Sequence, residues 1–404
     1  MGDKVNHDEI LKKVNPVYFS AKGCLALLAK TGDSDIVNFY NSIDREYLPE
    51  LDNDPVTKTR TISLEARYTS WRLIAEDTDC PNIVDLPCGY LPNCLHAARL
   101  KKNYYGLDLP IVIDEISRVA DKFLNENEKS FVHYHSVDAT NYSSMRNALK
   151  DVTGKICIIM DGLLGYFNRE DLKSVCENIH RLLSEFGGCW YISEAQFIEL
   201  MAITYAELGG DKEEMLKMNK SGSGQIADSD NSEYLFIGGT LEERRRFMED
   251  CGFSVKSFPY NEKLKIIPSL KDNPALMKKI LSAYNEIEEW VLTADSTDST
   301  ANQNFDIPFA QEFSLKDKVL SIRISGRLDT ITAPELLQKY EEQRATNKLT
   351  EIYIDVKKLD YISYAGLRVF KIMSESLENA DLFKIINADG EVKNILLENG
   401  YFCQ

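Results

Sequence analysis

Histidine is scarce in this chain, with five residues, and its nine cysteines are scattered without a single Cys-x-x-Cys pair. The histidines do not cluster with the cysteines, which argues against a zinc site. Their odd number and scatter argue against a disulfide framework, so free thiols in a reducing compartment are expected. Basic residues are also in deficit: 47 Lys and Arg stand against 64 Asp and Glu, a formal charge of −17. That balance excludes broad nucleic-acid or anionic-membrane binding, which needs basic patches. The opening residues MGDKVNHDEILKKVNP contain no apolar stretch, so no secretory signal is expected. No run approaches the length that spans a bilayer. Together these absences predict a cytoplasmic protein with no metal centre.

What is present is ordinary globular composition, 44% apolar and 27% charged, over a length of 404 residues that calls for two or three domains. The stretch Asn82 to Pro110 (NIVDLPCGYLPNCLHAARLKKNYYGLDLP) organises the rest. Ile83-Val84 is a buried strand ending at Asp85, and Pro87-Cys88-Gly89 turns at once into a short helix. Tyr104 to Leu107 is a second strand ending at Asp108. That order is the first half of a nucleotide-binding βαβ unit, whose ligand lies beyond the carboxyl ends of the strands. Asp108 lies 19 residues past Gly89, the separation expected of a carboxylate that reaches ribose hydroxyls.

The turn narrows the ligand. A dinucleotide fingerprint needs three glycines so that backbone N–H groups approach a pyrophosphate closely. Here Pro87 has no N–H to donate, Leu91 is bulky, and only Gly89 remains. Such a turn is a poor phosphate cradle but can pass close to an uncharged ribose or a methionine tail. S-adenosylmethionine, which has no phosphate, fits better than a nicotinamide cofactor. The plain alternative is a strand-to-helix turn in an α/β core.

Residues 11 to 76 read as helical, and within them Arg60 and Arg67 can offer a guanidinium to a carboxylate. From Asn82 strands and helices alternate, the pattern of a parallel sheet covered on both faces. Strands at Phe131–Val137, Lys155–Met160 and Cys189–Ser193 run into Asp138, Asp161 and Glu194. With Asp108 these acids line one edge of the sheet, where they can meet ribose hydroxyls, an adenine amino group and a sulfonium charge. Residues 197 to 240 interrupt the alternation with a polar stretch, LKMNKSGSGQIADSDNSEY, which reads as a lid, a substrate loop or a mobile excursion. Helix Thr240–Cys251 and strand Phe253–Pro259 resume the fold, and the segment to Leu292 reads as helical. Residues 294–307 are a polar linker. Beyond it, 308–404 carries its own strand–helix alternation and no histidine, which suits a binding or regulatory module. His133 and His135, on one strand face, read as structural.

Both parts resemble known families. Val84-Asp85-Leu86-Pro87-Cys88-Gly89 resembles a variant first motif of class I S-adenosylmethionine-dependent methyltransferases. Tyr104 to Ile113 (YYGLDLPIVI) resembles the second motif of their leucine carboxyl methyltransferase-like branch, and Asp161 to Phe167 (DGLLGYF) is similar to that branch's Glu-Gly-Leu-Leu-x-Tyr-Leu. The resemblance covers about 55–290. It implies a Rossmann-like α/β domain, with a helical extension over 1–80 and a domain boundary near 293. It also implies methyl transfer to a carboxylate or hydroxyl oxygen of a small molecule or protein. Gly89 would lie under the cofactor, Asp108 would bind its ribose, Asp138 would face its adenine and Arg67 would hold its methionine carboxylate. The expected cofactor-contacting set is Arg67, Asp85, Pro87, Gly89, Asp108, Leu109, Asp138, Ala139, Asp161 and Gly162, and Tyr166 and Glu194 are the catalytic candidates. The chain departs from the branch in its first motif, where Gly-x-Gly-x-Asp-Thr is replaced, and in having Asp161 for the usual Glu.

Ser325 to Thr330 (SGRLDT), Ile354-Asp355-Val356 and Tyr361 to Val369 (YISYAGLRV) resemble a STAS domain, the small α/β fold of bacterial anti-sigma-factor antagonists. The resemblance implies a protein partner. Regulated antagonists carry a phosphorylated serine just before the Gly-Leu; here Ala365 stands there, with Tyr364 before it and Ser363 at a different position. Switching by phosphorylation at that position is not expected. Two readings follow: a methyltransferase with a docking module, or a non-catalytic regulator that keeps a degenerate methyltransferase fold and binds an anti-sigma factor or kinase. A nicotinamide oxidoreductase is the third, weakened by Pro87.

Overall fold

The computed structural model describes residues 10, 13–14, 18–45, 48, 51–223, 234–294 and 308–403. It divides into two compact units, a larger one of Phe19–Ala301 and a smaller one that joins Met1–Tyr18 to Asn302–Gln404.

The larger unit is built on a seven-stranded sheet. Its strands are β1 Asn82–Asp85, β2 Asn103–Asp108, β3 Val132–Ser136, β4 Ile156–Met160, β5 Gly188–Ile192, β6 Phe253–Pro259 and β7 Glu288–Ala294. They lie in the order β3-β2-β1-β4-β5-β7-β6, and β7 runs antiparallel to both its neighbours. Without β7 this is the doubly wound Rossmann order, a parallel sheet of the kind the strand–helix alternation predicts. Central strands β1 (NIVD) and β4 (ICIIM) are buried along their whole length, as apolar runs covered by helices on both faces must be. Helix Arg169–Phe186 shows how such cover forms. Asn168 caps it by accepting from the Asp171 N–H, and Gly187, at φ +71°, ends it. Leu172, Val175, Cys176, Ile179, Leu182 and Leu183 fall on one stripe and are buried against the sheet. Each of the larger ones contributes about 1.5–3 kcal/mol by leaving water.

The sequence reading fails at β7. The segment to Leu292 reads as helix, yet Trp290 and Leu292 pair with β5, and the strand sits between two others. The same strand takes in Ala294, so the linker begins later than expected; 295–307 lie outside the described residues. The polar insertion is ordered at its start, where helix Lys212–Ser223 follows helix Phe197–Glu207, and 224–233 lie outside the described residues.

The expected helical extension consists of Tyr18–Ala29, Ser34–Ser42 and Pro55–Asp77. Asp33 and Asp54 cap the second and third, and Pro55 takes the first-turn position it tolerates. The 23-residue Pro55–Asp77 helix buries Ile62, Ala66, Ser70, Trp71 and Ile74, which brings Arg67, Ser70 and Trp71 to the edge of the sheet.

The smaller unit has a four-stranded sheet, β8 Ala310–Lys316, β9 Val319–Leu328, β10 Glu351–Ile362 and β11 Phe383–Ile386. The order is β11-β10-β9-β8, antiparallel only at β8. Edge strand β8 escaped the sequence reading because its residues are nearly all exposed or half-exposed, so it carries little hydrophobic pattern. Leu320, Ile322, Ile324 and Leu328 alternate inward from β9 onto helices Thr332–Thr346 and Tyr364–Glu375. Ser363 caps the second of these, accepting from the Gly366 N–H at 3.4 Å. Ile10 and Val14 belong to this same core. The start of the chain therefore differs from the expected 1–293 domain: its residues 10 and 14 are packed in the smaller unit.

Candidate functional site

The site residues gather at the carboxyl edge of the larger sheet. Leu86 to Gly89 turns away from β1 with a cis peptide before Pro87, and Gly89 takes φ +52°. The Gly89 N–H donates to Asp108 Oδ2 at 2.8 Å, and the Leu109 N–H donates to Asp108 Oδ1 at 2.7 Å. The carboxylate is thus held at the end of β2 by two backbone donors, with lone pairs left over. Burial pushes its pKa up to about 6, against the pull of those two donors. From Leu86 to Gly89 every N–H is engaged. Leu86 N–H donates to Ile159 O, Cys88 N–H to Leu107 O and Gly89 N–H to Asp108, while Pro87 has none. A pyrophosphate would find no donor among them.

Asp85 serves the scaffold. Its carboxylate is buried and accepts from Trp71 Nε1 at 2.9 Å, Asn93 Nδ2 at 2.9 Å and the Tyr104 hydroxyl at 2.7 Å. Burial raises its pKa to about 7 against those three donors. The three partners come from the helix before β1, the helix after it and β2, so one carboxylate ties three elements together. Asp138, also buried, accepts from the Thr140 N–H at 2.7 Å and hydroxyl at 2.5 Å, shaping the turn after β3. Ala139 offers its carbonyl to Asn178 Nδ2 at 3.0 Å.

Beside these lies a charged cluster. Arg67 Nε and Nη2 both lie 2.7 Å from Asp161 Oδ1, on which the Ser193 hydroxyl also bonds at 2.6 Å. Burial works against the Arg67 charge, but Asp161 and then Glu194 outweigh it and hold the guanidinium above its ordinary range. Gly162 is left-handed at φ +83°, and a side chain there would stand 3.3 Å from Arg67 Nη2. Glu194 Oε1 accepts from the Leu163 and Leu164 N–H groups at 3.0 and 3.1 Å, fixing the turn that carries Tyr166. Burial raises the Glu194 pKa, opposed by Arg67. The Tyr166 hydroxyl lies 3.0 Å from Ser20 Oγ, and burial pushes it up to about 12. Arg60, by contrast, is exposed.

One group was invisible in the sequence. Glu289 on β7 is fully buried, takes a hydrogen bond from Ser70 and has its pKa pushed up to about 7 by burial. Ser70 also lies 3.0 Å from the Tyr191 hydroxyl. Glu289 Oε2 and the buried Tyr260 hydroxyl have no hydrogen-bond partner among the described residues. No local signal marked Glu289, because its strand reads as helix. Among the described residues no cluster of His, Cys, Asp and Glu has metal-binding geometry, and no helix is long and apolar enough to cross a membrane.

Residues 312–402 match the STAS domain family, and the smaller unit contains that domain. No curated protein matches the chain. Similar solved structures include a methyltransferase of Thermobifida fusca YX, described as putative, at 12% identity, 69% of this chain, 94% of that one and TM-score 0.37. A putative O-methyltransferase of Nostoc punctiforme PCC 73102 aligns at 11% identity over 68% of this chain and 71% of that one, TM-score 0.34. Human N-acetylserotonin methyltransferase in complex with S-adenosylmethionine aligns at 11% identity over 68% and 67%, TM-score 0.32.

Proposed function

We propose that the larger unit binds S-adenosylmethionine and transfers its methyl group to an oxygen, and that the STAS domain docks a protein partner. The observation that carries this reading is the Gly89–Asp108 bond, in a turn where the Leu86 and Cys88 N–H groups are also engaged and Pro87 has none. It leaves a carboxylate suited to two ribose hydroxyls and, between Leu86 and Gly89, no N–H for a phosphate. Bound there, S-adenosylmethionine supplies an electrophilic methyl on a sulfonium. Asp108, ionised above a pKa of about 6, accepts from the ribose. Asp138 and Ala139 close the adenine side, and Pro87, Gly89 and Leu109 give the close backbone approach. Arg67, steadied by Asp161, faces the methionine carboxylate. The gain from such a site comes mainly from holding the acceptor oxygen in line with the methyl.

The acceptor class follows from the proton inventory. A hydroxyl needs a base, whereas a carboxylate is already ionised. The Tyr166 hydroxyl, at about 12, keeps its proton at neutral pH. Glu194 is engaged in holding the 163–166 turn. Neither candidate suits a base, and a carboxylate acceptor, on a small molecule or a protein, is favoured. Titration calorimetry with intact cofactor tests the reading: the native chain binds, and Asp108→Ala weakens binding roughly tenfold or more, the loss of hydrogen bonds to a charged group. A native chain that takes up no S-adenosylmethionine overturns it.

A second reading is favoured by the pinning of Arg67 on Asp161. A guanidinium already satisfied by a carboxylate suits a scaffold that has given up catalysis, leaving the STAS domain to do the work. Labelled cofactor added to host extract decides: labelled product supports the enzyme, and none supports the regulator.

A further inference from the structure

Glu289 and Tyr260 reach the candidate site from the antiparallel end of the larger sheet. Strand β7 pairs Trp290 with Ile192 and Glu289 with Phe258, which puts Glu289 at the carboxyl edge, one position beyond the last β5 pair. Ser193 follows that pair on β5, and its hydroxyl bonds Asp161. Tyr260 comes directly after β6 and belongs to the core that includes Ile62 and Ala66. Those two lie on the Pro55–Asp77 helix, which also carries Arg67 and Ser70. The Tyr260 hydroxyl is close enough to Glu289, Asp161 and Arg67 to feel all three charges.

The hydrogen bonds at this point run one way. Ser70 gives its single hydroxyl hydrogen to Glu289 Oε1, so the Tyr191 hydroxyl, 3.0 Å from Ser70 Oγ, donates to Ser70 in turn. With Oε1 occupied as an acceptor, a proton on this carboxyl sits on Oε2. Burial raises the pKa to about 7, so near neutral pH a large share of the chains carry that proton. Glu289 Oε2 and the Tyr260 hydroxyl are both fully buried, and neither has a hydrogen-bond partner among the described residues. Native proteins seldom bury a polar atom unpaired, and two together at a site edge call for a ligand group that completes both.

We propose that Tyr260 and Glu289 hold the carboxylate of the methyl acceptor, the tyrosine hydroxyl and Oε2 each donating a hydrogen bond to it. This rests on the reading of the neighbouring site as one for S-adenosylmethionine, and it names the residues that select the acceptor which that reading favours. A carboxylate has lone pairs enough to take both donors and still present an oxygen to the methyl. The surrounding charges suit this. Asp161 and the incoming anion both favour a protonated Glu289, while Lys263 opposes them, and Tyr191 and Tyr260 are kept protonated by burial. Arg67, whose charge reaches Tyr260, offsets the negative charge of the acceptor.

Calorimetry on the full chain tests this, with acetate as the carboxylate probe and S-adenosylhomocysteine filling the cofactor's place. Acetate is expected to bind with uptake of a proton above about pH 7, its affinity falling about tenfold for each further pH unit. Tyr260→Phe removes one donor and is expected to weaken acetate about tenfold or more. Its fold should hold, because the hydroxyl it deletes has no partner among the described residues. Glu289→Gln supplies an amide donor at every pH, and is expected to keep acetate binding while abolishing its pH dependence. Acetate that does not bind, or that binds Tyr260→Phe as well as the native chain, overturns the inference. So does a chain that takes methylammonium in preference to acetate. A native chain that takes up no S-adenosylhomocysteine overturns the proposed function instead, and acetate titrations of the unloaded native chain and Tyr260→Phe then still decide the inference.

Discussion

Arg67 and Asp161 are 94 positions apart in the chain, yet two guanidinium nitrogens of the one lie 2.7 Å from a single carboxylate oxygen of the other. Both are largely buried, and Glu194 adds a second acid within reach of the same guanidinium. Removing Arg67 leaves two buried carboxyls without a counter-charge. Arg67→Ala is expected to cost about 3 kcal/mol or more in urea unfolding, the range for breaking one partner of a buried pair. Arg67→Met with Asp161→Leu is expected to recover most of that loss, and a double variant no more stable than the single one would count against the pair.

Asp85 makes a comparable prediction without a counter-charge. Asp85→Ala strands Trp71 Nε1, Asn93 Nδ2 and the Tyr104 hydroxyl inside the core. At about 1 kcal/mol or more for each buried donor left unpaired, the loss is about 3 kcal/mol or more. Denaturant unfolding measures it; a loss below 1 kcal/mol would mean that the three donors find other partners.

Stability of the larger unit is expected to fall as pH rises from about 4 to about 7. Asp85, Glu289 and Asp108 have pKa values raised by burial to about 7, about 7 and about 6. A carboxyl whose folded pKa exceeds its unfolded one binds more protons when folded, so its contribution favours the fold at low pH and is lost as pH climbs through the folded value. Glu289→Gln removes one such group and is expected to flatten the slope between about pH 4.5 and about pH 7. An unchanged slope would show that Glu289 is ionised in the folded chain.

Cofactor affinity should have the opposite dependence. Asp108 accepts from hydroxyls best as a carboxylate, so binding is expected to weaken as pH falls below about 6, where it is accompanied by release of one proton. Calorimetry in buffers of different ionisation enthalpy counts that proton, and Asp108→Asn should abolish the dependence.

In the STAS domain, Gly366 is the sharpest steric point. A Cβ there would stand 2.9 Å from the Leu328 carbonyl and from its side chain. Although alanine usually favours a helix, Gly366→Ala is expected to destabilise the smaller unit by about 1–3 kcal/mol through overpacking. A thermal scan that shows a gain in stability would mean that β9 moves aside easily.

By itself the sequence determined the features written locally. Alternation of apolar strands with amphipathic helices predicted the doubly wound sheet, since burial on both faces demands continuous runs such as Ile156–Met160. The placing of Gly89 in the turn after the first strand and of Asp108 at the end of the second was legible from the strand–turn–helix–strand order, while the bond between them was not. The STAS domain was legible because its motifs fall in order on turns and caps such as Ser363. Only the tertiary structure decided the rest. Strand β7 is a strand because β5 and β6 leave a place for it, and its own glutamates favour helix. Glu289 acquires its raised pKa there, through burial that no local pattern reports. Arg67 finds Asp161 because the Pro55–Asp77 helix crosses the edge of the sheet. Ile10 and Val14 look like any helical residues in the sequence; their place in the smaller unit depends on an apolar surface assembled from residues more than 300 positions away, and only folding brings that surface together.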